Sequence, residues 1–165
     1  MTEIWDVYDE NGKKTGRTME RGIPKDGDYM LCVHMYLFNL SGEVLVQKRS
    51  KNKESHPGEW DITVGAVLCG EESIEGAKRE LLEEVGIDIS DARIRYIGRV
   101  KKNRKFADIY FAEKEFCLSD CVLQKEEVDE VCLVDGREIL NMERCTRNQD
   151  MPYTALLKKA IESMN

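Results

Sequence analysis

Apolar positions along the chain follow two different periods, and the switch between them separates strands from helices. Residues 29–39, YMLCVHMYLFN, are apolar almost throughout, and residues 43–49 resume the pattern beyond Leu40-Ser41-Gly42. Such a run, a glycine-containing turn and a second β-rich run predict two strands joined as a hairpin. Residues 3–8, EIWDVY, are followed by Glu10-Asn11-Gly12 and a return through Lys13 to Arg17, which predicts an opening hairpin. A loop over 18–28 contains Gly22, Pro24, Asp26, Gly27 and Asp28 and reads as a connector. Further strands are predicted over 60–64, 94–100, 106–116 and 128–134, with the basic turn Lys101-Lys102-Asn103-Arg104-Lys105 between the second and third of these. The period changes at Ile74, Ala77, Leu81 and Val85, which lie on one face of a helix over 73–85. Ser73 is placed to cap this helix and Gly86 to end it in the left-handed conformation, while Gly76 weakens its interior. A short helix over 137–142 and an amphipathic helix over 151–163, with Pro152 in its first turn, complete the pattern. Strands on both sides of a central helix, with helices late in the chain, predict a mixed sheet packed between helices.

The face of the 73–85 helix opposite its apolar stripe carries the chemistry. Glu80, Glu83 and Glu84 stand at i, i+3 and i+4, so one helix face presents three carboxylates. Like charges at this spacing repel, and a divalent cation reverses the sign of the interaction. Carboxylate oxygens suit hard ions such as Mg2+, Mn2+ or Ca2+. Ahead of the helix, a loop bounded by Gly65 and Gly70 permits close approach of backbone to a ligand.

Gly65, Glu71, Arg79-Glu80, Glu83-Glu84, Gly86 and the aliphatic Ile87 occupy every fixed position of the Nudix box over residues 65–87. A solvated acidic helix explains the glutamates but not the glycines, Glu71 and Arg79 at their spacings. The chain therefore resembles the Nudix hydrolases. The resemblance implies an α/β (α+β) fold, an α/β/α sandwich with a mixed sheet, and cleavage of a diphosphate linkage in a nucleoside diphosphate derivative or related compound with Mg2+ or Mn2+. It also implies that Glu80, Glu83 and Glu84, with the Gly65 carbonyl, hold the metal, Glu83 being central to catalysis. Arg79 and Glu71 then support these ligands from behind as a bidentate pair. Glu127, or Glu126 beside it, corresponds to the general base, and Arg49 to a residue near substrate phosphate. The glycine loop departs from many relatives in carrying Leu68 where they have a polar residue.

Trp5-Asp6-Val7-Tyr8-Asp9 and the segments 42–50 and 60–70 are similar to the branch related to isopentenyl-diphosphate isomerase. That enzyme is the alternative reading, but the position of its cysteine holds Val64, and positions of its metal-binding histidines hold Met30 and Ala66. Only His34 and His56 are present, and His34 falls in an apolar run. A ligand-sensing domain without catalysis is the third class, disfavoured by the intact acidic set.

Length and composition narrow the remaining possibilities. With 165 residues the chain suits one domain, residues 1–28 forming an N-terminal extension to it. A net charge of −7 argues against a nucleic-acid polymer or an anionic membrane as partner, and a small-molecule diphosphate is expected instead. The basic stretch 101–105 is a hairpin tip, with steering of an anionic substrate as its functional reading. No secretory pattern opens the chain and no run is long enough to span a bilayer, so the cytoplasm is expected. The six cysteines are expected to be free thiols, and the Cys117–Cys121 spacing lacks a second pair for zinc. Trp60, Tyr29 and Phe106 lie in predicted strands and read as core in preference to base-stacking residues. Homodimers are common among the Nudix proteins it resembles, and the opening hairpin offers an edge for one.

Overall fold

The computed structural model describes residues 2–142 and 151–164. Among them the strands are β1 (Ile4–Tyr8), β2 (Lys14–Glu20), β3 (Met30–Phe38), β4 (Glu43–Arg49), β5 (Trp60–Asp61), β6 (Thr63–Ala66), β7 (Arg93–Lys102), β8 (Lys105–Glu113) and β9 (Val128–Asp135). Helix α1 spans Ser73–Val85 and helix α2 spans Met151–Glu162. The nearly continuous apolar run becomes β3, buried along its whole length. A strand apolar on both faces is stable only where both faces are covered. Leu31, Val33, Met35 and Leu37 pack beneath Ala77, Leu81 and Val85 of α1, while Tyr36 and Phe38 share the opposite layer with Leu157, Ala160 and Ile161 of α2. The result is an α+β sandwich around a mixed sheet, since β3 runs parallel to β8 and antiparallel to β6.

The hairpin expected from 29–39 and 43–49 closes only at its tip. β3 and β4 pair at Phe38↔Val44 and then part, because β6 takes the edge of β3 from Met35↔Thr63 to Cys32↔Ala66. β4 pairs instead with β9 along Glu43↔Asp135 to Arg49↔Val128, and with β5. The turn holds because Asn39 Oδ1 accepts the Ser41 and Glu43 N–H groups at 3.0 and 2.9 Å. The single strand expected over 60–64 is likewise divided at Ile62, where the chain crosses from β4 to β3.

At the start of α1, Glu72 is the N-cap residue and makes no side-chain capping bond, so Ser73 does not cap the helix as expected. Ser73 is already helical, and its hydroxyl pairs with that of Tyr110. Gly76 is accommodated because a Cβ there would press on Glu71 Oε2 and Val67 Cγ2 at 3.2 and 3.3 Å. The strand expected to reach residue 116 ends at Glu113, and the helix expected over 137–142 is a 3₁₀ segment, Gly136–Asn141. The opening hairpin forms as β1 and β2, with the return strand reaching Glu20. It is tied to the rest by Arg99 Nη1 and Lys101 Nζ, which donate to the carbonyls of Gly12 and Glu10 at 3.0 and 2.8 Å. Cys32, Cys69, Cys117, Cys121 and Cys132 are free thiols, and Cys145 lies outside the described residues. No helix among the described residues is long and apolar enough to cross a membrane.

Gly86 ends α1 at φ 74°, donating its N–H to Leu82 O at 2.9 Å. A Cβ at this position would meet the Cβ, N and O of Val122 at 2.9–3.1 Å. Gly86→Ala is therefore expected to cost about 1–3 kcal/mol. Urea unfolding checks this, with a lowered midpoint at unchanged slope expected.

Candidate active site

β6 ends where the acidic face of α1 begins, and the two elements are in direct contact at Gly65. A Cβ on Gly65 would lie 2.1 Å from Glu80 Cδ, so only glycine lets the strand approach this carboxylate. Arg79 fastens the loop between them. Its Nε donates to Glu71 Oε1 at 2.6 Å and its Nη2 to Glu71 Oε2 at 3.1 Å and to the Ala66 carbonyl at 2.9 Å. Its Nη1 reaches Glu80 Oε1 at 2.9 Å and Glu83 Oε2 at 3.3 Å. Glu71 Oε2 also accepts the Leu68 N–H at 2.9 Å, which closes the loop just ahead of α1. Burial pushes the Glu71 carboxyl up, but the hydrogen bonds from Arg79 and Leu68 and the Arg79 charge outweigh it and hold the group below the usual carboxylate range.

The three carboxylates of α1 occupy different environments. Glu83 is half exposed. Glu80 is mostly buried, and desolvation, with a contribution from Glu83, raises its carboxyl despite the Arg79 charge. Glu84 is buried, with 6% of its surface exposed, and loss of solvent pushes its carboxyl up to about 8 even though Gln47 Nε2 donates to Oε2 at 2.6 Å. Gln47 is held in turn by Thr63 Oγ1, which donates to its Oε1 at 2.9 Å. Among the described residues no trio of His, Cys, Asp or Glu groups is already gathered at metal-ligating distances. The donor set nonetheless suits a hard cation: two desolvated carboxyls side by side, a third at the surface, and a glycine backbone packed against the first.

A cavity of about 590 Å³ opens over this surface. Gly65, Glu80, Glu83, Glu84, Glu127 and Arg49 all line it, so the expected metal, base and phosphate positions converge. Arg79 and Glu71 are not among the lining residues; they are paired with each other, and Arg79 also contacts Glu80 and Glu83. Of the two base candidates, Glu127 lines the cavity, whereas Glu126 is exposed and is not among the lining residues. Glu127 forms an ion pair with Lys53, and its carbonyl accepts the Ser50 N–H at 2.9 Å, which pins its loop to the end of β4. Arg49 donates to the carbonyl and hydroxyl oxygens of Ser55 at 3.1 and 3.2 Å.

Other positions stand apart from the expected chemistry. His34 is buried, its Nδ1 2.7 Å from the Tyr153 hydroxyl at the base of the cavity. Leu68 is half buried in the packing layer that contains Trp5. Tyr29 and Phe106 pack on each other with ring centroids 5.3 Å apart, and neither they nor Trp60 line the cavity. Gln47, Lys53 and Tyr153 were not singled out from the sequence. Gln47 had a signal, a lone amide in the apolar run of β4; Lys53 and Tyr153 had none, since a solvated loop and a terminal helix reach the site only through the fold.

The fold and this constellation define a Nudix protein. The family profile described as NUDIX domain matches residues 28–160, and the chain belongs to that family, whose enzymes hydrolyse pyrophosphate bonds. It is similar to an uncharacterized Nudix hydrolase of Listeria monocytogenes, 40% identical over 141 residues covering 83% of this chain and 82% of the relative. Nudix hydrolase 3 of Arabidopsis thaliana is 35% identical over 154 residues, which are 84% of this chain and 20% of that protein. Among solved structures, DR0079 of Deinococcus radiodurans has the same fold, with a TM-score of 0.70 at 20% identity over 84% of this chain and 87% of its own. The NUDIX domain of Shewanella oneidensis NrtR, complexed with ADP ribose, superposes with a TM-score of 0.63 at 20% identity, covering 88% of this chain and 95% of that one.

The Glu84 environment has a thermodynamic consequence. Its carboxyl keeps a proton in the folded state that the unfolded chain releases near 4.5. The folded state thus binds more protons between that pH and about 8, and stability must fall as pH rises through this window. Urea unfolding in EDTA is expected to show this decline in the wild type and a flatter profile in Glu84→Gln. A wild-type stability that rises from pH 5 to 8, with Glu84→Gln identical to it, contradicts the assignment.

Proposed function

We propose that the chain is a pyrophosphohydrolase dependent on Mg2+ or Mn2+, cleaving the diphosphate linkage of a nucleoside diphosphate derivative or related compound by attack of water on phosphorus. The observation that carries this reading is the convergence of Gly65, Glu80, Glu83, Glu84, Glu127 and Arg49 on one cavity. Glu80, Glu83, Glu84 and the Gly65 carbonyl would hold the ion. Held there, such an ion would supply neutralisation of charge on the diphosphate and a lowered pKa for the attacking water.

The remaining roles belong to side chains. Glu127 takes the proton from the attacking water, and Lys53 together with the Ser50 contact orients it. Arg49 neutralises a non-bridging phosphate oxygen from the end of β4. Arg79 keeps Glu80 and Glu83 in place while spending its other donors on Glu71 and Ala66, so a lysine would not replace it. Gln47 maintains the position of Glu84.

We also place the chain in the branch similar to isopentenyl-diphosphate isomerase, on the strength of residues 5–9, 42–50 and 60–70. Isomerisation itself is disfavoured, because the cavity presents Val64, Met30 and Ala66 where that chemistry needs a cysteine and histidines. The ADP ribose in the Shewanella relative makes nucleoside diphosphate sugars the first compounds to try.

The test is release of phosphate or monophosphate from nucleoside diphosphate derivatives, nucleotide sugars, dinucleotides and prenyl diphosphates, with Mg2+ or Mn2+. Turnover is expected in the wild type, with a loss of roughly a hundredfold or more in kcat for Glu83→Gln and for Glu127→Gln. Isomerisation of prenyl diphosphate without hydrolysis supports the isomerase. Diphosphate binding that raises the melting temperature without turnover of any compound supports a sensing domain.

A further inference from the structure

The opening hairpin lies outside residues 28–160, the part of the chain that the family profile matches, yet Glu3, Trp5 and Arg21 line the same cavity as the glutamates of α1. Two hydrogen bonds seat it on the glycine loop ahead of α1. The Cys69 N–H donates to the Ile4 carbonyl at 2.8 Å, and the Gly70 N–H donates to Asp6 Oδ2 at 2.9 Å. Leu68 of that loop belongs to the same packing layer as the buried Trp5. Side chains alternate along an extended chain, so with Asp6 engaged by the loop, Glu3 and Trp5 share the other face, which borders the cavity.

Trp5 Nε1 donates to Glu3 Oε2 at 3.1 Å and so holds that carboxylate in place. Glu80 feels it there: burial is the main cause that raises the Glu80 carboxyl, and the charges of Glu83 and Glu3 add to it. Arg21 is fastened to the same residue. Its backbone N–H donates to the Glu3 carbonyl at 3.0 Å, and its Nη1 lies 3.7 Å from Glu3 Oε2. The backbone bond fixes the root of the side chain beside the acidic end. The ion pair is longer than a hydrogen bond, the Arg21 side chain is 63% exposed, and Glu3 is the one carboxylate it pairs with among the described residues. An exposed pair of this kind is weak, whereas a guanidinium and a phosphate form short, charge-assisted and often bidentate bonds.

We infer that Arg21 is a substrate-binding residue, its guanidinium leaving Glu3 for a non-bridging oxygen of a diphosphate held at the acidic end. Glu3 keeps it within reach until then. This rests on the reading of the acidic end as the diphosphate site. Residues 18–28, which read as a connector, thereby supply a working part of the cavity, and the hairpin adds a cation to the one that Arg49 brings from the end of β4.

Calorimetric titration with methylenediphosphonate, a diphosphate mimic that cannot be cleaved at its bridge, in constant excess Mg2+ tests the inference. Arg21→Ala is expected to weaken binding roughly tenfold, as befits one charge-assisted contact, and to leave the melting temperature of the unliganded protein unchanged. Arg21→Lys, which keeps the charge but not the fork, should fall between the two. A double-mutant cycle with Glu3→Gln separates direct binding from an effect exerted through Glu3. In the Glu3→Gln background the loss caused by Arg21→Ala should persist, whereas a residue that acts only by neutralising or positioning Glu3 has no effect there. Wild-type affinity in Arg21→Ala, a loss that vanishes in the Glu3→Gln background, or no binding of the probe by the wild type overturns the inference. Arg21-dependent binding without turnover of any diphosphate counts against the hydrolase reading alone. Turnover whose KM is unchanged in Arg21→Ala counts against this inference alone.

Discussion

Arg79 is the group on which the acidic site depends, because one guanidinium joins three pieces of structure that would otherwise be independent. Two of its nitrogens engage Glu71, one of them also reaching the Ala66 carbonyl, and the third contacts Glu80 and Glu83. The end of β6, the glycine loop and α1 thereby become one unit. The arrangement also sets apart four glutamates close in sequence. Glu71 has a dedicated cation and lies below the usual carboxylate range, whereas Glu84, beyond the reach of Arg79 and sealed from water, lies far above it. An isolated surface pair would contribute little to stability, so the importance of this one lies in geometry.

The sheet topology explains why a cavity exists above this unit. β6 pairs with β3 and displaces β4, which turns to β9 and carries Arg49, the 50–59 loop and Gln47 around the acidic end. On the far side the parallel pairing of β3 with β8 brings the β7–β8 turn level with Met30. Acidic and basic ends therefore face one space from opposite sides.

Much of the fold was legible in the chain because its strands and α1 obey simple periodicities. The α1 boundaries and the Gly86 terminator match the 3.6-residue pattern, since the apolar stripe that predicts the helix is the stripe it buries. Three of the expectations that failed share one cause. Pairing of residues 29–39 with 43–49, an unbroken strand over 60–64 and a Ser73 cap each assume that neighbours in sequence are partners in space. β6 inserted beside β3, Ile62 marked a crossing between strands, and Tyr110, remote in sequence, engaged Ser73.

The sequence by itself determined the family, and with it the class of pyrophosphate-bond hydrolase, and it located the candidate metal-site residues, because the Nudix box confines backbone, carboxylates and their arginine within 23 consecutive positions. Local helix geometry then suffices to bring Glu80, Glu83 and Glu84 to one face. What only the tertiary structure decided was everything contributed from a distance: Glu127 but not Glu126 on the cavity wall, Gln47 behind Glu84, and Lys53 paired with Glu127. Each depends on which strand lies beside which. Strand order is set by the burial of β3 on both faces and both edges, a property of the assembled sheet that no local pattern encodes.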